Sequence, residues 1–352
     1  MNKRLSLFLK IFLPLLVIVA AVHLCIFYAM GRRPGRKVEK DVPPVANADL
    51  DSLPPPAAVE PQMMPSTQDI TPPAAAGPLP EYDFSRPLRL PPAVQRLSVP
   101  GKGGIIVDLS SRRVLWSKNA KKPLPVASLT KLMTALLLME DISSGRIKFT
   151  TPLPVTSAAT SVERSCVLGM QRGERYIIEE LVAAMMINSH NDAAAQLAAA
   201  VSGTVPDFIR KMNTRAGELG LYSAKFNSPN GLPQGKARQN SVCSVNDITR
   251  LCEKLMAYPE LIKYCRMKSK KLHTGKVVYS HNHLLGIRRR SPEVPGIFGF
   301  KTGYTGRAGF CLAFGVKRQN RVIIGCVAGF PSAKDRDNFC RALIEWAYSI
   351  KR

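Results

Sequence analysis

The sequence predicts an α+β domain, from the order in which residue patterns appear along the chain. Two β-rich runs stand at the start of residues 94–352 and two more stand near the end. Between them lie five amphipathic or apolar runs at helical spacing, and a closing helical run follows the last strand. Terminal strands of this kind can pair in one antiparallel sheet flanked by helices, with the middle forming a helical subdomain. A doubly wound sheet would instead need strands alternating with helices throughout.

The elements follow in order. Gly104–Leu109 and Val114–Trp116 flank Ser110-Ser111-Arg112-Arg113, which reads as a hairpin. Ser128 opens a helical run to about Asp141, with Leu132, Met133, Leu136 and Leu137 at helical spacing. Glu179–Ile187 is the next helix. Asp192–Val201 follows, stopped by Ser202-Gly203. Pro206–Leu219 opens with a proline, where no N–H partner is lost, and ends at Gly220. Asp247–Met256 is the fifth helix. Phe310–Val316 and Val322–Val327 are strands around the turn 317–321, and Ala333–Tyr348 closes the domain.

The 352 residues and a 45% hydrophobic content suffice for one large domain with appendages. The formal net charge is +25, and residues 94–352 hold 40 of the 50 bases and 17 of the 25 acids. Such a surface attracts polyanions. No nucleic-acid-binding motif accompanies the charge, so an anionic cell envelope is the expected partner and nucleic acid is not. None of the eight cysteines forms a C-x-x-C pair, which argues against zinc. Cys311 with Cys326, or Cys252 with Cys265, could pair. Small buried thiols are the expectation for most of them.

Ile11–Met30 is a run of 20 residues without a formal charge. As a helix it would be about 30 Å long, enough to cross a bilayer core. We read residues 1–30 as an uncleaved signal-anchor, because Ala29-Met30-Gly31 is a poor small-residue cleavage site. Lys3, Arg4 and Lys10 precede the run and Arg32, Arg33, Arg36, Lys37 and Lys40 follow it, so basic-residue counting does not orient it. Residues 31–93 read as a linker, since 15 of the 28 prolines lie between Pro34 and Pro92. That composition would stay semi-extended, with a reach on the order of 200 Å. The catalytic domain is then 94–352.

Three motifs carry chemistry: Ser128-Leu129-Thr130-Lys131, Ser189-His190-Asn191 and Lys301-Thr302-Gly303. Each alone is common. Together, in this order, they point to a serine acyl-enzyme whose proton handler is lysine. Ser128 and Lys131 at i and i+3 share a helix face. A serine hydroxyl needs a base. Lysine can serve only when neutral, which burial and a nearby cation such as Lys301 favour. Ser189-His190-Asn191 lies in a loop between two helices. There Ser189 could pass a proton to a leaving amine, and Asn191 could hold both the lysine and the substrate backbone. His190 is expected to point away. Lys301 and Thr302 suit a bound carboxylate, and Gly303 permits close approach of a substrate backbone. The N–H groups of Ser128 and Tyr304 are the expected oxyanion donors.

These residues resemble the serine D-alanyl-D-alanine carboxypeptidases, the low-molecular-mass penicillin-binding proteins. The similarity covers about residues 100–350. It extends to Pro125-Val126-Ala127 ahead of Ser128, Asn191-Asp192-Ala193-Ala194, Asn230-Gly231-Leu232-Pro233 and Tyr304-Thr305. It implies a penicillin-binding/β-lactamase-like transpeptidase fold and removal of the terminal D-Ala from peptidoglycan stem peptides, with β-lactams as covalent inhibitors and no metal or cofactor. It carries over Ser128 as nucleophile, Lys131 as base, Ser189 and Asn191 as the second-loop pair, and Lys301 and Thr302 as carboxylate binders.

Three departures stand out. Phe298-Gly299 replaces the family's frequent Asp-Gly. The segment His281-Asn282-His283-Leu284-Leu285 stands where an Asn-rich segment often supplies an arginine near the substrate carboxylate. The family's C-terminal β-rich domain and amphipathic anchor have no counterpart before Arg352, so the N-terminal segment is expected to anchor the chain in the inner (cytoplasmic) membrane, with the domain on the periplasmic side. The alternatives are a DD-endopeptidase cutting cross-links, which the motifs do not separate, and a non-catalytic wall-binding or penicillin-sensing module, which the intact motifs disfavour. A class A β-lactamase needs a further glutamate, and Glu218 reads as part of a helix.

Overall fold

In a computed structural model of the chain, the described residues are 77–350, with 164, 236 and 288–290 excepted. The signal-anchor expected at 1–30 and the linker from 31 to 76 lie outside them. The linker expected to reach residue 93 ends earlier. Leu79, Tyr82 and Leu90 are buried. Leu79 N–H donates to Leu219 O, and Leu88 N–H donates to Leu115 O. Proline density masked these few apolar residues, whose burial anchors the segment.

Helix α1 (Pro92–Ser98) leads into strands β1 (Gly103–Asp108) and β2 (Arg113–Lys118), the predicted hairpin. After β3 (Leu124–Pro125) comes a 3₁₀ turn over Ala127–Thr130, and then α2 (Lys131–Ser143). The helix predicted from Ser128 thus begins one turn later. Strand β4 (Pro152–Pro154), the short α3 (Ser157–Thr160) and β5 (Arg175–Ile177) precede α4 (Ile178–Ile187). Helices α5 (Asn191–Ser202) and α6 (Val205–Glu218) complete the predicted middle. Strand β6 (Val242–Cys243) is followed by α7 (Val245–Leu255) and α8 (Pro259–Arg266). Next are β7 (Ser269–Lys271) and β8 (Val277–Tyr279). The chain ends with β9 (Lys301–Thr305), β10 (Gly309–Arg318), β11 (Arg321–Phe330) and α9 (Ala333–Ser349).

The main sheet has the order β2-β1-β11-β10-β9 and is antiparallel throughout. The chain's first and last strands therefore do meet, as the sequence predicts. Alternation along each strand sends side chains to opposite faces. Ile105, Val107, Ile324 and Cys326 join the core shared with α2 and α7. Ile106, Ile323 and Val327 join a second core beneath α9, with Trp116, Phe330 and Phe339. Both faces are covered, so β1 is buried along its full length. Helix α2 is the central helix. Ten of its 13 residues are buried, which explains an apolar pattern on all sides rather than on one stripe.

The seven cysteines described are free thiols, six of them buried. The pairing considered for Cys311 and Cys326 fails on register. Cys326 stands opposite Ala313, and Cys311 stands opposite Gly303. Cys252 and Cys265 are also unpaired. Among the described residues, no helix is long and apolar enough to cross a membrane.

Candidate active site

The site forms where the sheet edge β9 meets the start of α2. Ala127 adopts φ +46°, a left-handed conformation uncommon for a residue with a Cβ. It turns the chain so that Ser128 stands half-buried. Two glycines allow this turn to be packed tightly. A Cβ on Gly231, itself at φ +86°, would lie 2.0 Å from Ala127 O. One on Gly303 would lie 3.2 Å from Ser128 N. The β9 backbone thus runs along the nucleophile turn, where the expected oxyanion donors Ser128 N–H and Tyr304 N–H would have to converge.

Lys131 is fully buried. Its Nζ lies 2.9 Å from Ser128 Oγ, 2.7 Å from Asn191 Oδ1 and 2.8 Å from Asn230 O. Burial, and then the Lys301 cation, hold its pKa well below the ordinary lysine range, while Cys166 and Asp192 oppose the shift. A neutral amine has two N–H groups and one lone pair. The two carbonyl oxygens can take the N–H groups, which leaves the lone pair for the Ser128 hydroxyl proton.

The Ser189-His190-Asn191 loop is held from behind. Asn191 N–H donates to Cys166 O at 2.8 Å, and its Nδ2 donates to Ser165 O at 2.5 Å. With both nitrogens tied to the 165–166 segment, the amide oxygen can only face Lys131. Asp192 fixes that segment in turn, accepting from Leu168 N–H at 3.0 Å and Gly169 N–H at 2.9 Å. Ser189 sits at φ +70° and is buried. Among the described residues its hydroxyl has no hydrogen-bond partner. His190, expected to point away, is buried, with Nδ1 unpartnered. Burial first, with Lys131, Lys276 and Lys301 adding and Asp192 opposing, brings its pKa down to about 4.

Lys301 begins β9 and is buried, donating to Thr302 O at 3.1 Å. Burial lowers its pKa to about 8; Arg336 adds to the shift, and the thiols of Cys166 and Cys265 oppose it. It therefore remains largely cationic at neutral pH. Thr302 is half-buried. Tyr304 is exposed and stacks on Phe310 with centroids 4.2 Å apart. The departure at Phe298-Gly299 has a packing reason. Phe298 is buried in the core against Gly315, and Gly299 packs against the Asn282 amide.

The structure thus joins Ser128, Lys131 and Asn191 by direct contacts. It sets Lys301 within electrostatic reach of Lys131 and brings Gly303 against Ser128. Sequence reasoning gave no role to the Asn230 carbonyl, Asp192 or Cys166. Asn230 and Asp192 lie in stretches that only the family resemblance marks. A backbone acceptor leaves no composition signal at all.

The comparisons with known proteins agree with this geometry. The D-alanyl-D-alanine carboxypeptidase family profile matches residues 92–331. The chain is 31% identical over 250 residues to the D-alanyl-D-alanine carboxypeptidase DacF of Bacillus subtilis, covering 70% of this chain and 62% of that protein. It is 29% identical over 213 residues to a D-alanyl-D-alanine endopeptidase of Pseudomonas aeruginosa, covering 59% and 64%. The chain thus spans a little under two thirds of the length of these relatives. Among solved structures, the ampicillin-bound penicillin-binding protein D2 of Listeria monocytogenes superposes with a TM-score of 0.62 at 26% identity, covering 70% of this chain and 96% of that one. Penicillin-binding protein 6B of Escherichia coli gives 0.66 at 25%, covering 76% and 81%. Motifs, site geometry and fold converge: the chain belongs to the D-alanyl-D-alanine carboxypeptidase family and has the penicillin-binding fold.

Proposed function

We propose that the protein is a serine D-Ala-D-Ala carboxypeptidase of the cell wall that also binds β-lactams covalently. The observation that carries this reading is the buried Lys131 amine, 2.9 Å from Ser128 Oγ and fixed by Asn191 and Asn230. Lys131 takes the Ser128 hydroxyl proton as Oγ attacks the carbonyl of the penultimate D-Ala. The oxyanion is met by the Ser128 and Tyr304 N–H groups. The C–N bond breaks, and the proton passes through Ser189 to the departing amine, releasing D-Ala. Water then attacks the ester, giving its proton back through Lys131. Oγ leaves with a proton, and the peptide is one residue shorter. Lys301 and Thr302 hold the terminal carboxylate, and Asn191 the substrate backbone.

The catalytic domain would work on the periplasmic side of the inner membrane, tethered by residues 1–30. Protease protection of the domain in the cytoplasm would refute that topology. A DD-endopeptidase is the second reading, favoured by the comparable identity to the Pseudomonas aeruginosa endopeptidase. The test is D-Ala release from diacetyl-L-Lys-D-Ala-D-Ala, against cleavage of a purified cross-linked dimer. Faster release of D-Ala, abolished by Ser128→Ala, supports the carboxypeptidase. Faster cleavage of the dimer supports the endopeptidase. Unchanged activity in Ser128→Ala refutes both.

A further inference from the structure

One end of the main sheet carries a basic and apolar surface that the chemistry above does not use. On α1, Val94 and Ser98 turn inward, Val94 onto the core beneath α9 and the Ser98 hydroxyl onto Gln95 O at 2.7 Å. The outward side is left apolar. Leu97 is 38% exposed, and Val99, just past the helix, is 66% exposed. Single exposed apolar side chains are ordinary. What sets these two apart is their surroundings. Lys118 Nζ donates to Ser98 O at 3.1 Å and to Val99 O at 3.0 Å. The next residue, Asn119, donates through Nδ2 to Lys102 O at 2.9 Å, and its carbonyl accepts from Lys122 N–H at 3.1 Å. These bonds gather Leu97 and Val99 with Arg96, Lys102, Lys121 and Lys122. All four bases are exposed, and among the described residues none has a carboxylate partner. Residues 84–107 and 114–139 contain no acid that could neutralise them.

We infer that this face docks the domain on an anionic bilayer, with Leu97 and Val99 entering the headgroup layer and Arg96, Lys102, Lys121 and Lys122 meeting lipid phosphates. Apolar side chains and bases on one face are the combination that interfacial binding uses, because buried apolar area adds to the attraction of anionic lipid. Lipid fits better than an anionic wall polymer on two grounds. A polymer in water gives Leu97 and Val99 no role, and the same chain carries its own uncharged 20-residue run at 11–30. The inference uses the tether proposed above and is independent of the peptidase reading. It also gives the domain an orientation. Lys102 N–H donates to Ala328 O, near the end of β11. Phe330, at that end, pairs with Phe310, and Gly309 pairs with Thr305. The Thr305 end of β9 therefore lies at the docking end of the sheet. Lys301 is four residues back along the strand, about 13 Å away. Docking points the Lys301 end of β9 away from the lipid.

The test uses the full chain reconstituted in vesicles of phosphatidylglycerol or of phosphatidylcholine. Val99→Trp is the reporter. Tyr222→Trp is the control, at a side chain 83% exposed beyond the end of α6. Quenching of tryptophan fluorescence by brominated phospholipid is read above the background of Trp116 and Trp346, and the melting temperature checks the fold of each variant. Quenching should appear at position 99 and not at position 222, and in phosphatidylglycerol only. In the Val99→Trp background, Lys102→Gln, Lys121→Gln and Lys122→Gln should each lower the ratio of docked to undocked domain about fivefold, the worth of one base near an anionic surface. Raising salt from about 0.1 M to about 1 M cuts the Debye length from about 10 Å to about 3 Å and should remove most of the quenching. No quenching at position 99, or equal quenching at both positions or in both lipids, overturns the inference and leaves the tether standing. Loss of the full chain from phosphatidylglycerol vesicles overturns both. If soluble peptidoglycan shifts the Val99→Trp emission and vesicles do not, the face belongs to the wall and the inference falls.

Discussion

Lys131 Nζ and Asn191 Oδ1 are 2.7 Å apart although 60 residues separate them in sequence. The contact locks Lys131, the proposed base, to the second motif. The Asn191 amide nitrogen is spoken for by Ser165 O, so its oxygen has one orientation. Asn191→Ala removes an acceptor from a buried amine, which costs about 1–3 kcal/mol. We expect acylation by benzylpenicillin to slow about 10–100-fold, with the melting temperature lowered by a few degrees. Asn191→Asp tests the sign: a carboxylate beside Lys131 raises the lysine pKa and should shift the acid limb of the acylation profile to higher pH.

Gly231 is the second lever on the nucleophile. Gly231→Ala would drive a methyl group to 2.0 Å from Ala127 O, at a φ of +86° that disfavours any side chain. Gly145→Ala is the control, at φ +76° with nothing within 4 Å. The control pays only the conformational cost, about 1 kcal/mol. Gly231→Ala should lower the melting temperature further and slow acylation by more than about tenfold, because Ala127 must move Ser128 with it. Equal effects of the two substitutions, by differential scanning fluorimetry and penicillin labelling, would contradict the packing argument.

If Lys301 holds the substrate's carboxylate as proposed, its pKa of about 8 sets a pH limit on that binding. The group is a cation below that value and neutral above it. Binding of a carboxylate substrate should therefore weaken as pH rises through about 8, seen as rising KM. The C-terminal amide of diacetyl-L-Lys-D-Ala-D-Ala, which carries no carboxylate, should show no such rise. Lys301→Arg, charged throughout the range, should remove the pH step in KM. A KM that is flat from pH 7 to 9.5 for the wild type would contradict the assignment.

Under α9, Phe339 is 1% exposed and packs edge-on against Trp116 with centroids 5.3 Å apart, and stacks on Phe330. Phe339→Ala should destabilise the domain by about 3–5 kcal/mol, lowering the melting temperature by roughly 10 °C. This core lies on the sheet face opposite α2. Penicillin acylation at 25 °C should stay within about twofold of wild type, since the site is built on the other core.

The paired terminal strands and the central helices were legible because their periodicity is strong and long. Phe310–Val316 and Val322–Val327 needed only to be lengthened, to Gly309–Arg318 and Arg321–Phe330. Helix α8 was missed: it has eight residues and follows α7 after a short turn, too brief a run for a periodic pattern to stand out. Spacing alone does not separate the 3₁₀ turn at Ala127–Thr130 from an α-helix, because residues three apart share a face in either geometry. Among the site residues, Ser128, Lys131, Asn191 and Lys301 carry side-chain chemistry that spacing can reveal. The Asn230 carbonyl is a backbone acceptor, and the Asp192 carboxylate accepts from the N–H groups of Leu168 and Gly169, pairings that only the folded chain brings together. His190 shows the same limit, since its burial depends on which elements pack around it.

The central claim is that Lys131 is the neutral base that activates Ser128. The most direct measurement is the second-order rate of acylation by benzylpenicillin at pH 7, read by intact mass and peptide mapping, for the wild type, Lys131→Ala and Lys131→Arg. The account predicts a single adduct on Ser128 in the wild type and a rate lowered by about 10²–10⁴-fold in both variants, because neither alanine nor an always-charged guanidinium can accept the proton. An acylation rate in Lys131→Arg within a few-fold of wild type would contradict it.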